Sequence, residues 1–197
     1  MNIVVFGATG MIGTRIAAEL EQHGHAVTAA TRATGIDVTD PRSVARAAAG
    51  ADAVVSAVSA RGVSYTLADV APALVEGVRE AGVRRLVIVG GAGSLEVAPG
   101  KRLMDAPEFP EEWKPEAIAQ SEALDYYRSI EDLDWTFVSP AAFIHPGERT
   151  GRYRLGGDQL LADDNGKSEV SAEDYAIAIV DLLEQSGHER ERITVAW

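Results

Sequence analysis

The chain lacks cysteine altogether and has only four histidines among its 197 residues. Without cysteine there is neither a disulfide framework nor a thiolate nucleophile, so catalysis that depends on cysteine is excluded. The histidines, His23, His25, His145 and His188, show no spacing typical of paired metal ligands. We therefore expect no metal site.

Positive charge is also scarce, because 18 Lys and Arg residues stand against 30 Asp and Glu residues, for a net charge of −12. Such a charge repels the phosphates of nucleic acids and anionic membranes alike. No apolar run approaches the roughly 18 residues of a membrane span, and the N-terminus does not resemble a secretory signal. We therefore predict a cytoplasmic protein that binds neither nucleic acid nor a membrane.

Glycine is spaced regularly near the N-terminus, at Gly7, Gly10 and Gly13. The apolar run 3–6 before these glycines predicts a buried strand, and apolar residues repeated every four positions after them predict a helix packed on a sheet. A glycine turn at this place lets backbone N–H groups approach a phosphate at the positive end of the helix dipole. The pattern predicts a dinucleotide site; the alternative is a tight strand-to-helix turn in an unrelated α/β protein.

Apolar strands and amphipathic helices alternate along the rest of the chain without repeats. This alternation predicts an α/β fold of the Rossmann type, a doubly wound and mostly parallel sheet with helices on both faces and strand order 3-2-1-4-5-6. The length predicts a single domain, residues 1–197, with a small extension on the substrate side from about 140 to 197. The irregular stretch 95–115 is a candidate active-site rim.

In such a sheet, ligands bind beyond the carboxyl ends of the strands, where the strand order reverses. We therefore predict that the dinucleotide contacts residues that follow the strand ends. These residues are Gly7, Thr9, Gly10, Met11, Ile12, Gly13, Ala57, Val58, Ser59, Gly90, Gly91, Ala92, Pro140, Ala141, Ala142 and Phe143.

The end of the second predicted strand indicates which dinucleotide is bound. An acidic residue there would bond the ribose 2′-OH of NAD, whereas an arginine accommodates the 2′-phosphate of NADP. Arg32 stands at this place, and no acid occurs between Glu21 and Asp37, so NADPH is favoured over NADH. The alternative is that Arg32 is a solvated surface residue. Asp37 could accept from the adenine amino group, and Val38 could pack against the adenine ring.

Several segments together carry a resemblance to a known family. They are Gly7-x-x-Gly10-x-x-Gly13, Asp37-Val38, Gly90-Gly91-Ala92-Gly93-Ser94-Leu95, Leu133-Asp134-Trp135-Thr136, Ser139-Pro140-Ala141 and Glu173-Asp174-Tyr175-Ala176. Over nearly its whole length the chain resembles the atypical short-chain dehydrogenases/reductases of the NAD(P)H-binding, NADH-flavin reductase type, and more distantly biliverdin IXβ/flavin reductase. The resemblance implies a reductase whose nicotinamide lies near 90–92 and 140–142.

One departure from the wider dehydrogenase family bears on the reaction. That family protonates a carbonyl oxygen with a tyrosine that has a lysine four residues later, and none of the five tyrosines here has one. Reduction of a simple ketone leaves an alkoxide that needs a proton donor. A flavin, a quinone or a bilin delocalises the charge that it receives, so positioning of the rings carries more of the catalysis.

Four residues are candidates on the acceptor side, each with a structural alternative. Ser94 and His145 are candidate catalytic groups, the first following a strand end and the second able to donate to an acceptor carbonyl. Trp113 and Lys114 are candidate substrate contacts in the irregular rim. Either pair could equally serve loop or core packing.

The favoured hypothesis is an NAD(P)H-dependent oxidoreductase that reduces FMN, FAD or a similar small planar acceptor. The alternative is a redox sensor that binds NADP(H) without turnover, which the missing Tyr-Lys pair would allow. A nicotinamide-dependent epimerase is disfavoured, because few residues follow 139–141 to build a sugar-nucleotide site. The apolar helix faces are also compatible with a homodimer.

Overall fold

The computed structural model describes all residues from 1 to 197. The five α-helices are α1 (Met11–Gln22), α2 (Pro41–Ala48), α3 (Leu67–Glu80), α4 (Lys114–Arg128) and α5 (Ala172–Glu184). The eleven strands are β1 (Asn2–Phe6), β2 (Ala26–Ala30), β3 (Ala53–Ser56), β4 (Arg85–Val89), β5 (Glu96–Ala98), β6 (Lys101–Arg102), β7 (Asp134–Pro140), β8 (Phe143–His145), β9 (Arg154–Gly156), β10 (Glu169–Ser171) and β11 (Glu191–Ala196).

Seven strands form the central sheet in the order β2-β1-β3-β4-β7-β11-β9. All neighbours in this sheet are parallel except β9, which runs antiparallel to β11. Two small sheets accompany it: β8 pairs with β10, and β5 pairs with β6. The predicted doubly wound Rossmann fold is confirmed.

The predicted strand order is wrong at one edge. The order 3-2-1-4-5-6 requires a strand outside β2, whereas β2 itself is the edge strand and β3 pairs with the other side of β1. Only residues 31–40 separate β2 from α2, and a parallel crossover needs about a dozen residues before the next strand begins. A short 3-10 turn at Arg32–Thr34 occupies this stretch instead.

Alternation along the strands divides the buried side chains between two layers. Val4 and Phe6 belong to the core on the side of α2, α3 and α4, whereas Ile3 and Val5 belong to the core beneath α1 and α5. Each large apolar side chain buried in this way contributes about 1.5–3 kcal/mol of transfer free energy. The two cores fix the sheet, so its carboxyl edge is a firm base for the loops that follow each strand.

The remaining segments lie around this base. The irregular stretch 95–115 contains the β5–β6 hairpin and two 3-10 turns, at Leu103–Asp105 and Glu111–Trp113. The predicted extension from about 140 contributes β8, β9, β10, α5 and β11, and its place on the substrate side stays a prediction. None of the five helices combines the length and the apolar character needed to cross a bilayer, and the cytoplasmic location stays a prediction.

Candidate functional site

The glycine turn after β1 is shaped by close backbone contacts. Gly7 has a φ of 75°, which other residues rarely adopt, and a Cβ atom there would overlap the carbonyl oxygen of Ala57. A Cβ atom on Gly13 would overlap the carbonyl oxygen of Gly7. These two glycines therefore allow the turn to fold tightly between the end of β3 and the first turn of α1.

Gly10 differs from the other two glycines. A Cβ atom there would have only the Gly7 carbonyl oxygen within 4 Å, at 3.4 Å, so the protein itself leaves room beside it. Gly10 is also the N-cap of α1, and no side chain caps that helix end, whereas the side chains of Asp40 and Ser171 cap α2 and α5. The first N–H groups of α1 are thus without a side-chain acceptor, which suits a phosphate.

A cavity of about 190 Å³ opens beside this turn, at the carboxyl ends of β1, β2 and β3. Eight predicted cofactor residues line it: Gly7, Thr9, Gly10, Arg32, Val38, Ala57, Val58 and Ser59. The structure thereby brings together residues that lie up to 52 positions apart in the chain. The cradle of Gly7, Gly10 and Gly13 and this cavity fit a dinucleotide.

Arg32 lines the cavity and lies on a short, capped 3-10 turn. Thr31 and Thr34 cap each other across the 3-10 turn, and Gly35 ends it in the left-handed conformation. The side chain of Arg32 makes neither an ion pair nor a hydrogen bond within the chain, although most arginines here do. Its guanidinium is therefore available to an anionic ligand.

Asp37 and Val38 occupy different surroundings. Val38 is buried and lines the cavity. Asp37 is exposed and does not line it; its carboxylate accepts from the hydroxyl (2.7 Å) and the backbone N–H (2.9 Å) of Thr39. These hydrogen bonds hold the pKa of the Asp37 carboxyl below its usual range. The carboxylate already forms an Asx turn, so a contact with adenine stays a prediction.

The comparisons with known proteins agree with this geometry. The model of a family described as NAD(P)H-binding matches residues 7–186, which include the glycine turn and five of the seven strands of the central sheet. The chain belongs to the NAD(P)H-binding family.

Three solved structures are similar over the whole of this chain. A protein from Burkholderia pseudomallei, named a putative exported protein, shares 49% identity with a TM-score of 0.92, and all of each chain is covered. A putative epimerase from Bacteroides thetaiotaomicron shares 40% identity with a TM-score of 0.92, over 100% of this chain and 96% of that one. A putative NADH-flavin reductase from Streptococcus pneumoniae TIGR4 shares 35% identity with a TM-score of 0.83, over 100% and 99% of the two chains.

The cavity of this NAD(P)H-binding chain has walls that sequence reasoning missed. Arg61, Val63 and Tyr65 line it from the loop between β3 and α3, and Ile36 lines it from the other side. Arg61 also forms an ion pair with Glu116 on α4, with its Nε 2.5 Å from the carboxylate. The available signal was the length of this loop at the carboxyl edge of the sheet, because such loops carry ligand contacts.

The predicted nicotinamide residues follow the next two strands along the sheet. Gly90 follows β4 and donates its N–H to the Val138 carbonyl oxygen at 2.7 Å, and Pro140 ends β7. A Cβ atom on Gly90 would overlap the ring of Phe137, so this turn lies flat against β7. Neither turn lines the 190 Å³ cavity. The remaining predicted residues nearby are Met11, Ile12, Gly91, Ala92, Ala141, Ala142 and Phe143, of which Met11, Ala142 and Phe143 are exposed.

Ser94 is occupied by a contact within the chain. Its side-chain oxygen lies 2.9 Å from the Nη1 atom of Arg192, which donates to it, and the residue is buried. Arg192 in turn donates through its Nε to the Asp158 carboxylate at 2.7 Å. Ser94 therefore anchors the turn after β4 to β11, and it does not line the cavity. A catalytic role for this hydroxyl stays a prediction.

His145 is also held on both ring nitrogens. Its Nδ1 lies 2.8 Å from the Pro146 carbonyl oxygen, and its Nε2 lies 2.8 Å from the Glu169 carboxylate. The Pro146 carbonyl and then Glu169 raise the pKa of His145 above its ordinary value. Both neighbours are acceptors, so they favour the protonated ring, and neither nitrogen points freely toward a substrate. Its role as a catalytic donor stays a prediction.

Trp113 and Lys114 lie at the start of α4. Trp113 is 45% exposed and meets the ring of Phe109 edge-on, with ring centroids 6.3 Å apart. Lys114 pairs with Glu111 at 2.5 Å and faces a separate cleft beside Arg102. The structure places both residues on the rim and away from the cavity, so their contact with a substrate stays a prediction.

Three of the five tyrosine hydroxyls are unsuitable as proton donors. Tyr175 donates to the Val138 carbonyl oxygen at 2.5 Å, and Tyr153 donates to Asp181. Tyr127 is buried within the core beside Trp135. Burial raises the pKa of all three hydroxyls. A raised pKa makes proton release harder, in contrast to the lowered pKa of a catalytic tyrosine.

Proposed function

We propose that the protein is an NAD(P)H-dependent oxidoreductase that reduces a flavin or a similar planar, conjugated acceptor such as a quinone or a bilin. The observation that carries this proposal is the uncapped glycine turn of α1 beside the cavity at the carboxyl ends of β1, β2 and β3. The name of the Streptococcus pneumoniae relative supports the choice of acceptor. A small planar molecule is thus the partner that the proposal requires.

The cofactor residues divide by the part of the dinucleotide that they would hold. Gly7 and Gly13 would keep the turn tight, Gly10 would leave room for the pyrophosphate, and the first N–H groups of α1 would donate to it. Val38, a buried apolar residue that lines the cavity after β2, would pack against the adenine ring. The turns at 90–92 and 140–142 would position the nicotinamide ring.

NADPH is the dinucleotide that we favour, and Arg32 supports this choice. Its side chain has no acidic partner in the chain and lines the cavity just after β2. A guanidinium suits a phosphate ester because it can donate two parallel hydrogen bonds to it. In a chain of net charge −12, an unpaired arginine at this place also offsets the repulsion of a highly anionic ligand.

The reaction that we propose needs no tyrosine acid. When bound, reduced nicotinamide supplies a hydride to the acceptor. The protein's contribution is then to hold the two rings against each other and to limit access of water. A conjugated acceptor tolerates the absence of a positioned acid because its own ring system spreads the incoming charge. A reaction that needs no tyrosine acid agrees with the structure at Tyr153 and Tyr175, whose hydroxyls already donate to acceptors within the protein.

The direct test mixes the purified protein with NADPH and FMN and follows the absorbance of the nicotinamide. We expect oxidation well above the rate without protein. Binding of NADPH without any oxidation above background, with FMN or with a naphthoquinone, would contradict the enzyme proposal. That result would favour the alternative, a sensor that binds the dinucleotide without turnover.

Cofactor choice is tested by Arg32→Glu, with Arg46→Glu on α2 as the control of equal charge change, since Arg46 is exposed and does not line the cavity. Loss of one charge-assisted contact of about 1.5–3 kcal/mol predicts NADPH binding weaker by roughly tenfold to a hundredfold. NADH binding should change much less. If both affinities stay at the wild-type value, the assignment of the 2′-phosphate to Arg32 is wrong.

A further inference from the structure

The order of strands arranges the candidate contacts in a row along the carboxyl edge of the sheet. The cavity lies at the ends of β2, β1 and β3, and the predicted nicotinamide turns follow the next strands, β4 and β7. Continuing in the same direction, the next structures are β8, which follows β7, and the end of β11. An acceptor that meets the nicotinamide on the side away from the cavity would therefore lie against these two segments.

Three aromatic side chains are in contact there. Phe143 on β8 is 54% exposed, although large apolar side chains are normally covered. Its ring centroid lies 5.2 Å from that of His145, and the His145 centroid lies 6.3 Å from that of Trp197, which follows β11. We call Phe143, His145 and Trp197 the aromatic platform.

The aromatic platform is held rigidly from below and from the side. Ile144, between its first two members, packs against the core beneath α1 and α5. Glu169 on β10 accepts from His145 and also pairs with Lys167. The indole N–H of Trp197 donates to the Asp174 carboxylate at 2.7 Å. The exposed ring of Phe143 is thus supported by residues whose own hydrogen bonds are satisfied.

We propose that the planar acceptor stacks on the aromatic platform through Phe143, and that His145 and Glu169 are positioning residues which hold that ring in place. This proposal rests on the proposed function and names the acceptor's own subsite. The proposal assigns Phe143 to the acceptor, whereas the sequence predicted a contact with the dinucleotide.

The chemistry of the aromatic platform selects a flat, conjugated ligand. An aromatic face that is exposed but fixed binds another flat ring with little loss of conformational entropy. The ring of His145, bound on both nitrogens, lies between the rings of Phe143 and Trp197 and is held in one orientation, which stabilises their arrangement. An isoalloxazine or a naphthoquinone fits such a surface, whereas a small aliphatic carbonyl compound has no ring to stack.

The test measures the binding of oxidised FMN in the absence of NADPH, by quenching of the flavin fluorescence. Phe143→Ala should weaken FMN binding about tenfold, the expected effect of losing one aromatic stacking contact. Phe143→Trp should restore it, because the indole keeps a flat ring. Val97→Ala is the matched control, since Val97 is a 47% exposed apolar side chain on β5, and it should bind FMN like the wild type.

The positioning role of His145 and Glu169 is tested by kinetics. His145→Asn and Glu169→Ala should raise the KM for FMN while leaving the NADPH affinity and kcat near the wild-type values. Glu169→Gln keeps an acceptor oxygen for the histidine and should rescue most of the effect. A role limited to folding would lower kcat and both affinities together, and would overturn this part of the proposal.

The outcomes separate this proposal from the proposed function. Equal FMN binding by the wild type and Phe143→Ala overturns the aromatic platform, even if NADPH is oxidised. A wild type that binds no FMN and no naphthoquinone also overturns it. Phe143-dependent FMN binding without oxidation of NADPH supports the platform and contradicts the oxidoreductase proposal.

Discussion

The two halves of the carboxyl edge are built in different ways. The half at β1, β2 and β3 is shaped by backbone atoms. At Gly7 and Gly13 the backbone packs so closely against carbonyl oxygens that a Cβ atom would overlap them. The half at β7 and β11 is shaped by side chains, where Phe143 is supported by His145 and by Glu169. The first half suits a ligand part common to all dinucleotides, and the second contains the proposed acceptor subsite.

This difference decides how each half responds to substitution. A methyl group added at Gly7 or Gly13 has no way to rotate aside, so the backbone around it must shift. A side chain changed in the other half leaves the sheet intact and alters only the surface that it presents. Substitutions of the tightly packed Gly7 and Gly13 should therefore affect stability, and those of the exposed Phe143 should affect binding.

The largest expected effect comes from Gly7→Ala. Positive φ costs a residue with a Cβ about 1–2 kcal/mol, and the overlap with the Ala57 carbonyl adds about 1–3 kcal/mol of overpacking. We expect urea denaturation to show a free energy of unfolding lower by about 2–5 kcal/mol. A loss below 1 kcal/mol would show that the turn can relax and would weaken the distinction between the two halves.

Gly10→Ala is the matched control, because the protein leaves space at that position. Its effect on unfolding should stay below about 1 kcal/mol, as expected for an exposed helix N-cap. NADPH binding, measured by nicotinamide fluorescence, should nevertheless weaken by more than tenfold, since the added methyl group occupies the cradle. Undiminished binding would place the pyrophosphate elsewhere.

The backbone half is also the half that the sequence predicts well. Spacing of Gly7, Gly10 and Gly13 after an apolar run indicates the turn, since steric limits apply wherever such a turn occurs. The parallel sheet follows from strand and helix periodicity for the same general reason. Arg61 escaped prediction because its place in the cavity depends on the path of a loop, for which no local periodicity exists.

In the side-chain half, the sequence predicts individual residues that follow the strands, but it does not predict which of them contact each other. His145 could be named as a polar residue after a strand, but its hydrogen bond to Glu169 joins residues 24 positions apart. Ser94 and Arg192 are 98 positions apart. Such pairings follow from the register of separate strands, which the sequence of either strand alone does not encode. The strand order was mispredicted at the β2 edge because the residues after β2 are too few to hold the additional strand that the general Rossmann order requires there.

A smaller loss of stability is expected from Ser94→Ala. This variant tests whether Ser94 has a structural or a catalytic role. Removing the acceptor of a buried Arg192 N–H should cost about 1–2 kcal/mol of unfolding free energy. The rate of NADPH oxidation should stay within about twofold of the wild type. A rate lower by the hundredfold or more typical of a lost general acid would assign Ser94 to catalysis.

The smallest effect concerns pH and His145. The pKa of its imidazole is raised in the folded state, by the Pro146 carbonyl and by Glu169, above the ordinary value of 6.5. Its contribution to stability is therefore fully present below pH 6.5 and is lost as the pH rises through the higher folded value.

The difference in unfolding free energy between the wild type and His145→Asn should accordingly be larger at about pH 5.5 than at about pH 8.5. The two proteins differ only at residue 145, so the contributions of all other residues cancel in this difference. A difference that grows with increasing pH would mean that the neutral ring is the stable form.

With the proposed role of Arg32, the absence of a strand outside β2 separates the choice of cofactor from the architecture of the sheet. Residues 31–34 bond chiefly to one another and contribute no ladder hydrogen bonds to the sheet, so their replacement should leave the strands in place. Evolution or protein engineering could thus change the preference between NADPH and NADH by altering a surface turn. The source of reducing electrons, NADPH or NADH, would then evolve independently of the central sheet.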